Sequence, residues 1–160
     1  MDQHTEQQTY GQKKIWRAGL IPYFLNDEGK VEMMFMIPSD QTYGGSSPQI
    51  AKGRIEDGED QKETAIREAQ EELGLIRANI DGEVEYLGVH LGRTHMYACR
   101  VHSKELFGVF SFETEEVVWM TEDEFRQDGR DIHRDVVHLV ESHAIEENMA
   151  DLRAIKQAKI

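Results

Sequence analysis

Three glutamates near the middle of the chain, Glu68, Glu71 and Glu72, are spaced so that one face of a helix would carry all of them. At about 100° per residue they span an arc of about 100°. Like charges three or four residues apart on a helix each cost a few tenths of a kcal/mol. A hard cation such as Mg²⁺ would offset that repulsion, since it binds a few carboxylates together with phosphate oxygens. The other interpretation is a solvated acidic face, in which Arg67 forms surface pairs with Glu63 and Glu71.

A helix from about Gln61 to Leu73 must position these side chains. Asp60 is suited to cap its first turn, with Glu63 as the reciprocal partner of a capping box. Gly74 is suited to the left-handed conformation that ends a helix. A separate side of the helix carries the apolar residues Ala65, Ile66, Ala69 and Leu73. That side is predicted to pack on a sheet.

The rest of the chain predicts strand pairs and two further helices. Strand composition is found at residues 15–25, 31–37, 83–91, 94–101, 107–112 and 117–120. Pro22 indicates an edge position or a bulge in the first of these strands. Thr121 and Glu124 form a capping-box pair that opens a short helix, and an amphipathic helix follows from about His133.

Composition limits the class of protein. A chain of 160 residues is expected to form one domain, which we place at residues 14–160 after a flexible segment, residues 1–13. The net charge of −13 argues against general nucleic-acid binding and against docking on anionic lipid. The single cysteine, Cys99, and the lack of a visible targeting or membrane-spanning segment predict a cytoplasmic protein.

Residues 53–75, GRIEDGEDQKETAIREAQEELGL, resemble the signature box of the Nudix hydrolases. The positions that carry the resemblance are Gly53, Glu59, Arg67, Glu68, Glu71, Glu72, Gly74 and Leu75. Ala69 departs from the pattern, because the family more often has a larger aliphatic residue there. A chance match of the charged and glycine positions has odds of roughly one in a hundred thousand. The resemblance implies an α+β protein with the Nudix fold, an α/β/α sandwich with a mixed β-sheet.

The resemblance also implies a reaction and a metal. Nudix hydrolases cleave the phosphoanhydride of a nucleoside diphosphate linked to another moiety, by metal-assisted attack of water. Mg²⁺ is the expected ion, with Mn²⁺ as the alternative. The implied ligands are the side chains of Glu68, Glu71 and Glu72, with Glu72 as the central one, and the backbone carbonyl of Lys52.

Further roles follow from the same resemblance. Glu72, Glu71 and Glu113 are the candidate catalytic groups, and Glu113 is the candidate general base because the family often places one before a late strand. The residues expected to shape or orient the site are Gly53, Glu59, Arg67 and Gly74. The candidate phosphate contacts are Arg54, Lys52 and Arg93, with Arg54 preferred because it lies in the box loop.

The sequence does not identify which nucleotide is the substrate. A dinucleoside polyphosphate, an ADP-ribose-like compound and an oxidised or normal nucleoside triphosphate all contain the required bond. The stretch Ala51-Lys52-Gly53-Arg54 loosely resembles a segment of dinucleoside polyphosphate hydrolases. The expected partner is a small nucleotide, and a capped RNA end is the one nucleic acid considered. No membrane partner is expected. The C-terminal helix could supply the interface of a homodimer. The alternative function is a non-catalytic Nudix-fold module that binds a nucleotide.

Overall fold

The computed structural model describes residues 16–158, and these form a six-stranded sheet and three α-helices. The strands are β1 Arg17–Leu25, β2 Val31–Pro38, β3 Ala51–Arg54, β4 Ile80–His90, β5 Thr94–Val101 and β6 Thr114–Met120. The helices are α1 Gln61–Leu73, α2 Glu122–Asp128 and α3 Arg134–Ala158. The segment 1–13, predicted to be flexible, lies outside the described residues. In the described part of the chain, no helix combines the length and apolar character needed to cross a membrane.

Strand β1 lies inside the sheet, whose order is β4-β5-β1-β2-β6. It pairs in parallel with β5 on one side. On its other side it pairs antiparallel with β3 through residues 17–20 and with β2 through residues 23–25. The sheet is therefore mixed, and β3 reaches the centre of the molecule directly before α1.

The prediction that Pro22 marks an edge strand or a bulge is wrong. Pro22 pairs with Cys99 in an unbroken parallel register between β1 and β5. On the other side of β1, the pairing with β3 ends at Leu20 and the pairing with β2 begins at Tyr23. Proline lacks a backbone N–H, and it is tolerated here because it falls in the gap between these two partner strands.

Helices cover both faces of the sheet, so the predicted α/β/α sandwich and the α+β class are confirmed. Successive side chains of a strand point to opposite faces, and β1 divides accordingly. Leu20 faces the layer that holds α1, whose contributions to this core are Ala65, Ile66, Ala69 and Leu73. Ile21 faces the other layer, where α2 and α3 contribute Phe125, Val136, Val137, Val140 and Ala144.

Helix α1 has the predicted bounds, and its two ends are capped by different means. The Asp60 side chain accepts a hydrogen bond from the backbone N–H of Glu63 at 2.7 Å, and Gly74 adopts φ 77°. The reciprocal half of the predicted capping box is not formed, because the Glu63 carboxylate pairs with Arg77 instead. Helix α2 does have the complete box, in which Thr121 and Glu124 each accept from the other's backbone N–H.

The predicted strand at residues 107–112 is wrong. This segment is an irregular loop that packs on the C-terminal end of α1. The backbone N–H of Gly108 donates to the carbonyl of Gly74 at 2.6 Å, and that of Ser111 donates to the carbonyl of Glu71 at 2.7 Å. The last carbonyls of a helix lack partners within it, so this loop uses its N–H groups there and not in a strand ladder.

Replacing Gly74 with alanine is expected to destabilise the protein by about 2–4 kcal/mol. Its φ of 77° disfavours a side chain, and a Cβ at this position would lie 2.3 Å from the carbonyl oxygen of Gly108. Urea unfolding measures the effect. The matched control is Gly82→Ala, which also has a positive φ of 88° but open space around the new methyl group. An equal loss in both variants would contradict the contact with Gly108.

Candidate active site

Two of the three clustered glutamates on α1 are turned inward, toward β3. Glu68 is 8% exposed, and the Glu72 carboxylate accepts a hydrogen bond from the backbone N–H of Lys52 at 3.3 Å. The carboxyl groups of Glu68 and Glu72 are close enough for each to affect the pKa of the other. Glu71 points outward, and its side chain is 51% exposed. The predicted acidic face is therefore divided into an inner pair and an outer residue.

Gly53 makes room for this inner pair. A Cβ built on Gly53 would lie 2.2 Å from the carboxyl carbon of Glu68, so only glycine allows α1 to approach β3 this closely. The resemblance implied that Gly53 shapes or orients the site. The structure shows that the group in direct contact with it is the Glu68 carboxylate.

Burial and mutual repulsion change the acidity of the inner pair. Burial is the main cause that raises the pKa of Glu72, and its contact with Glu68 raises it further. Burial likewise raises the pKa of Glu68, although Glu72 as hydrogen-bond partner and the nearby Arg67 charge act in the opposite direction. Two adjacent carboxylates in such a place both favour the protonated form, because it is costly for both to carry a charge. A divalent cation would remove that cost, so this donor set fits one.

Arg67 connects the outer part of the cluster. Its Nε donates to Glu59 at 2.8 Å, and its Nη1 lies 3.0 Å from Glu68 and 3.2 Å from Glu71. Its Nη2 donates to the backbone carbonyl of Arg54 at 3.1 Å. Hydrogen bonding to Glu59 is the main cause that raises the pKa of Arg67, and the same contact lowers the pKa of Glu59 to about 2. Arg67 is thus placed to orient glutamates and not to face the cavity.

The metal ligands implied by the resemblance are only partly brought together. Within residues 16–158, no three histidine, cysteine, aspartate or glutamate side chains converge closely enough to hold a metal ion. The physical reason is that Glu71 is held by Arg67, which leaves Glu68 and Glu72 as the inner pair. The backbone of Lys52 faces the same place, because the N–H and C=O of one residue in an antiparallel strand point to the same edge. Mg²⁺ often takes only a few protein ligands, so this smaller set still fits it.

A cavity of about 630 Å³ opens beside the inner pair. Glu72 and the candidate base Glu113 both line it, although they are far apart in the sequence. Glu113 is exposed, and its backbone carbonyl accepts from the N–H of Ser39 at 2.9 Å. The next residue, Thr114, donates through its hydroxyl to the carbonyl of Glu72 at 2.8 Å. These bonds attach the start of β6 to the end of α1.

The three candidate phosphate contacts have different positions. Lys52 lines the cavity, and burial together with the nearby Arg130 lowers its pKa to about 8. Arg54 does not line the cavity, and its guanidinium lies 4.7 Å from the ring centroid of Trp16. Arg93 does not line the cavity either, and its backbone carbonyl accepts from the N–H of Arg17 at 3.1 Å.

The sequence did not indicate three polar residues of the cavity: Arg17, Gln49 and Arg130. They come from β1, from the residues before β3 and from the connection between α2 and α3. No sequence pattern predicts that positions so far apart in the chain share a site, and each residue by itself is typical of an ordinary surface side chain. Only the folded chain brings them together.

Comparison with known proteins extends the likeness beyond the box. The NUDIX domain family model matches residues 16–140, a range that includes every site residue described above. The structure of a C. elegans Ap4A hydrolase binary complex aligns with a TM-score of 0.56 and 18% identity, over 86% of this chain and 97% of that one. RenU, a Nudix hydrolase from M. smegmatis, aligns with a TM-score of 0.64 and 16% identity, over 80% of this chain and 86% of that one. At these identities the structural likeness is one of fold.

Proposed function

This chain belongs to the Nudix hydrolase family, and on that premise we propose that it cleaves the phosphoanhydride of a nucleoside diphosphate linked to another moiety. The observation that carries the proposal is the inner pair beside β3, in which Glu68 is buried and Glu72 is half-buried and lines a nucleotide-sized cavity. Such a pair is costly without a cation. An anionic substrate beside the inner pair would also need a cation, because the net charge of the chain is −13.

We assign the cation as Mg²⁺, with Mn²⁺ as the alternative. Glu68, Glu72 and the backbone carbonyl of Lys52 would hold it, and Glu71 would join them by leaving its contact with Arg67. When bound, the ion would supply positive charge that stabilises the diphosphate leaving group and makes a water molecule more acidic. Arg67 and Glu59 act as positioning residues, since they restrict where the α1 carboxylates can lie.

The proton of the attacking water needs an acceptor. Glu113 is our candidate, because it lines the same cavity as Glu72 and its side chain is exposed. A carboxylate within reach of a water molecule can act as a general base. Lys52, also on this cavity, would place its ammonium group near a phosphate oxygen.

Incubation with a panel of substrates tests the function. Phosphate or mononucleotide release is expected with Mg²⁺ and is expected to be abolished by EDTA. The panel contains dinucleoside polyphosphates, normal and oxidised nucleoside triphosphates, ADP-ribose and capped RNA. Nucleotide binding without release from any member would contradict the proposal and favour the non-catalytic module.

We also place the protein in the cytoplasm. Cys99 is a buried free thiol, as expected for a chain kept in a reducing compartment. Fractionation of the source cells measures this, and recovery outside the cytoplasmic fraction would contradict it.

A further inference from the structure

We propose that Arg17, Lys52 and Arg130 form a subsite for a third phosphate, so that the enzyme selects polyphosphate nucleotides over simple diphosphates such as ADP-ribose. The inference rests on the proposed function and names the substrate class for the same cavity. A third phosphate adds negative charge next to the diphosphate that is cleaved. ADP-ribose has an uncharged ribose in that place.

The first argument is the charge that lines the cavity. All three cations line it, and none takes part in an ion pair within residues 16–158. The acidic side chains on the same cavity are Asp40, Glu72 and Glu113. In a chain with 31 acidic and 18 basic residues, three basic side chains on one cavity without a carboxylate partner among the described residues are an exception that an anionic ligand would explain.

The cavity acids offset these cations only in part, since Glu72 attracts the charge of Lys52 without forming an ion pair with it. The Asp40 carboxylate is exposed and accepts from the backbone N–H and the hydroxyl of Thr42, at 3.0 Å and 2.8 Å. Glu113 is exposed as well. Glu72 is engaged with Glu68 and the backbone of Lys52.

The second argument is an excess of hydrogen-bond donors. Arg17 Nε and Gln49 Nε2 are buried and have no acceptor within the described residues, although both side chains line the cavity. Gln49 is only 3% exposed. It packs with Arg130 against Gly44, where an added Cβ would lie 2.8 Å from Gln49 Nε2 and from Arg130 Nη1.

A buried histidine outside the cavity lining, His133, also has an unpaired nitrogen. His133 is fully buried, and its Nδ1 accepts from the backbone N–H of Ile50 at 3.3 Å. The proton of the neutral ring is therefore on Nε2, which also has no acceptor among the described residues. Buried donors are normally paired, so the unpaired donors of the two lining side chains, Arg17 and Gln49, favour a ligand rich in acceptor oxygens, as a phosphate chain is.

The third argument is position. Arg17 and Arg130 come from β1 and from the connection before α3, whereas the inner pair comes from α1. Lys52 lies close enough to Glu72, Arg130 and Arg17 for each of these charges to act on it, so the three cations adjoin the inner pair and can hold a phosphate that continues from the diphosphate. A volume of about 630 Å³ is within the range of cavities that enclose a nucleotide-sized ligand.

Calorimetric titration with inorganic tripolyphosphate and pyrophosphate, in metal-free buffer, tests the subsite without turnover. The wild type is expected to bind tripolyphosphate at least about tenfold more tightly than pyrophosphate. Arg130→Gln is expected to weaken tripolyphosphate binding by about 10- to 100-fold, the value of one charged hydrogen bond, and to bring its affinity close to that of pyrophosphate. Arg17→Gln serves as the second variant if Arg130→Gln does not fold.

Arg77→Gln is the matched control, because Arg77 pairs with Glu63 and does not line the cavity. It is expected to leave both titrations unchanged. Equal affinity of the wild type for the two anions would overturn the inference. So would an Arg130 or Arg17 variant that folds and keeps the full preference for tripolyphosphate.

A kinetic comparison separates this inference from the proposed function. The ratio of kcat/KM for a dinucleoside tetraphosphate to that for ADP-ribose is expected to exceed one and to fall by about tenfold or more in Arg130→Gln. A wild type that prefers ADP-ribose would overturn the inference and leave hydrolysis in place. A protein that hydrolyses neither compound would overturn the proposed function, while the titrations still decide whether the subsite exists.

Discussion

Replacing Glu72 with glutamine is expected to lower kcat by roughly 10³-fold while the fold stays intact. Glutamine has the shape of glutamate but cannot carry the negative charge that a cation requires at this position. Glu72 is the glutamate that lies both in the inner pair and on the cavity. Steady-state kinetics with Mg²⁺ measure the loss, and circular dichroism verifies the fold.

The matched control is Glu115→Gln, which makes the same chemical change at an exposed position on β6 that does not line the cavity. Its kcat is expected to stay within about twofold of the wild type, since exposed substitutions away from a site have small effects. Turnover of the Glu72 variant within threefold or so of the wild type would contradict the role assigned to Glu72.

The Glu72 substitution is also expected to change how stability depends on pH in metal-free buffer. The pKa of Glu72 is raised in the folded state above its ordinary value of 4.5 by burial and by Glu68. The folded state therefore binds the proton more tightly than the unfolded state. The contribution of Glu72 to the free energy of unfolding is fully present below pH 4.5 and decreases as pH rises above it, by up to about 1.4 kcal/mol per pH unit.

Urea unfolding of the wild type and the variant from pH 5 to pH 8 measures this difference. The variant is expected to lose less stability over the range and to be the more stable protein at pH 8. Mg²⁺ is expected to stabilise the wild type most at the upper end of the range, because the ion binds ionised carboxylates. Parallel pH profiles for the two proteins would contradict the buried pair.

Replacing Gly53 with alanine is expected to reduce kcat by about 10- to 100-fold and to destabilise the protein by about 1–3 kcal/mol. The new methyl group would lie 2.2 Å from the carboxyl carbon of Glu68, so the carboxylate or the helix must move. Gly53 does not have a positive φ, so the effect comes from the contact and not from backbone strain. Kinetics and urea unfolding measure the two losses.

Gly58→Ala provides the opposite control in the same loop. Gly58 has φ 80° and open space around the position of the new methyl group. Its substitution is expected to cost about 1 kcal/mol of stability through strain and to leave kcat nearly unchanged. If both variants lose stability but keep the wild-type kcat, the prediction is contradicted, and Gly53 affects the fold but not the arrangement of the glutamates.

Much of the fold could be predicted because its signals are local. Helix α1 was predicted with its exact bounds, since its caps and its apolar side lie within a few turns of each other. The first two strands, β1 and β2, were predicted from their strand composition, and they pair antiparallel. The segment 107–112 was misassigned because its apolar composition resembles a strand, while its hydrogen bonds go to the end of a helix that precedes it by more than thirty residues.

The sequence by itself determined which residues are acidic, that they share one helix, and that glycines lie at both ends of the segment, because helical periodicity and capping depend only on neighbours in the chain. Tertiary structure alone decided that Glu68 and Glu72 face β3 while Arg67 holds Glu71 outside. It also decided that Arg17 and Arg130 share a cavity with Glu72. Contacts between distant segments depend on how strands and helices pack, and no local pattern encodes that packing.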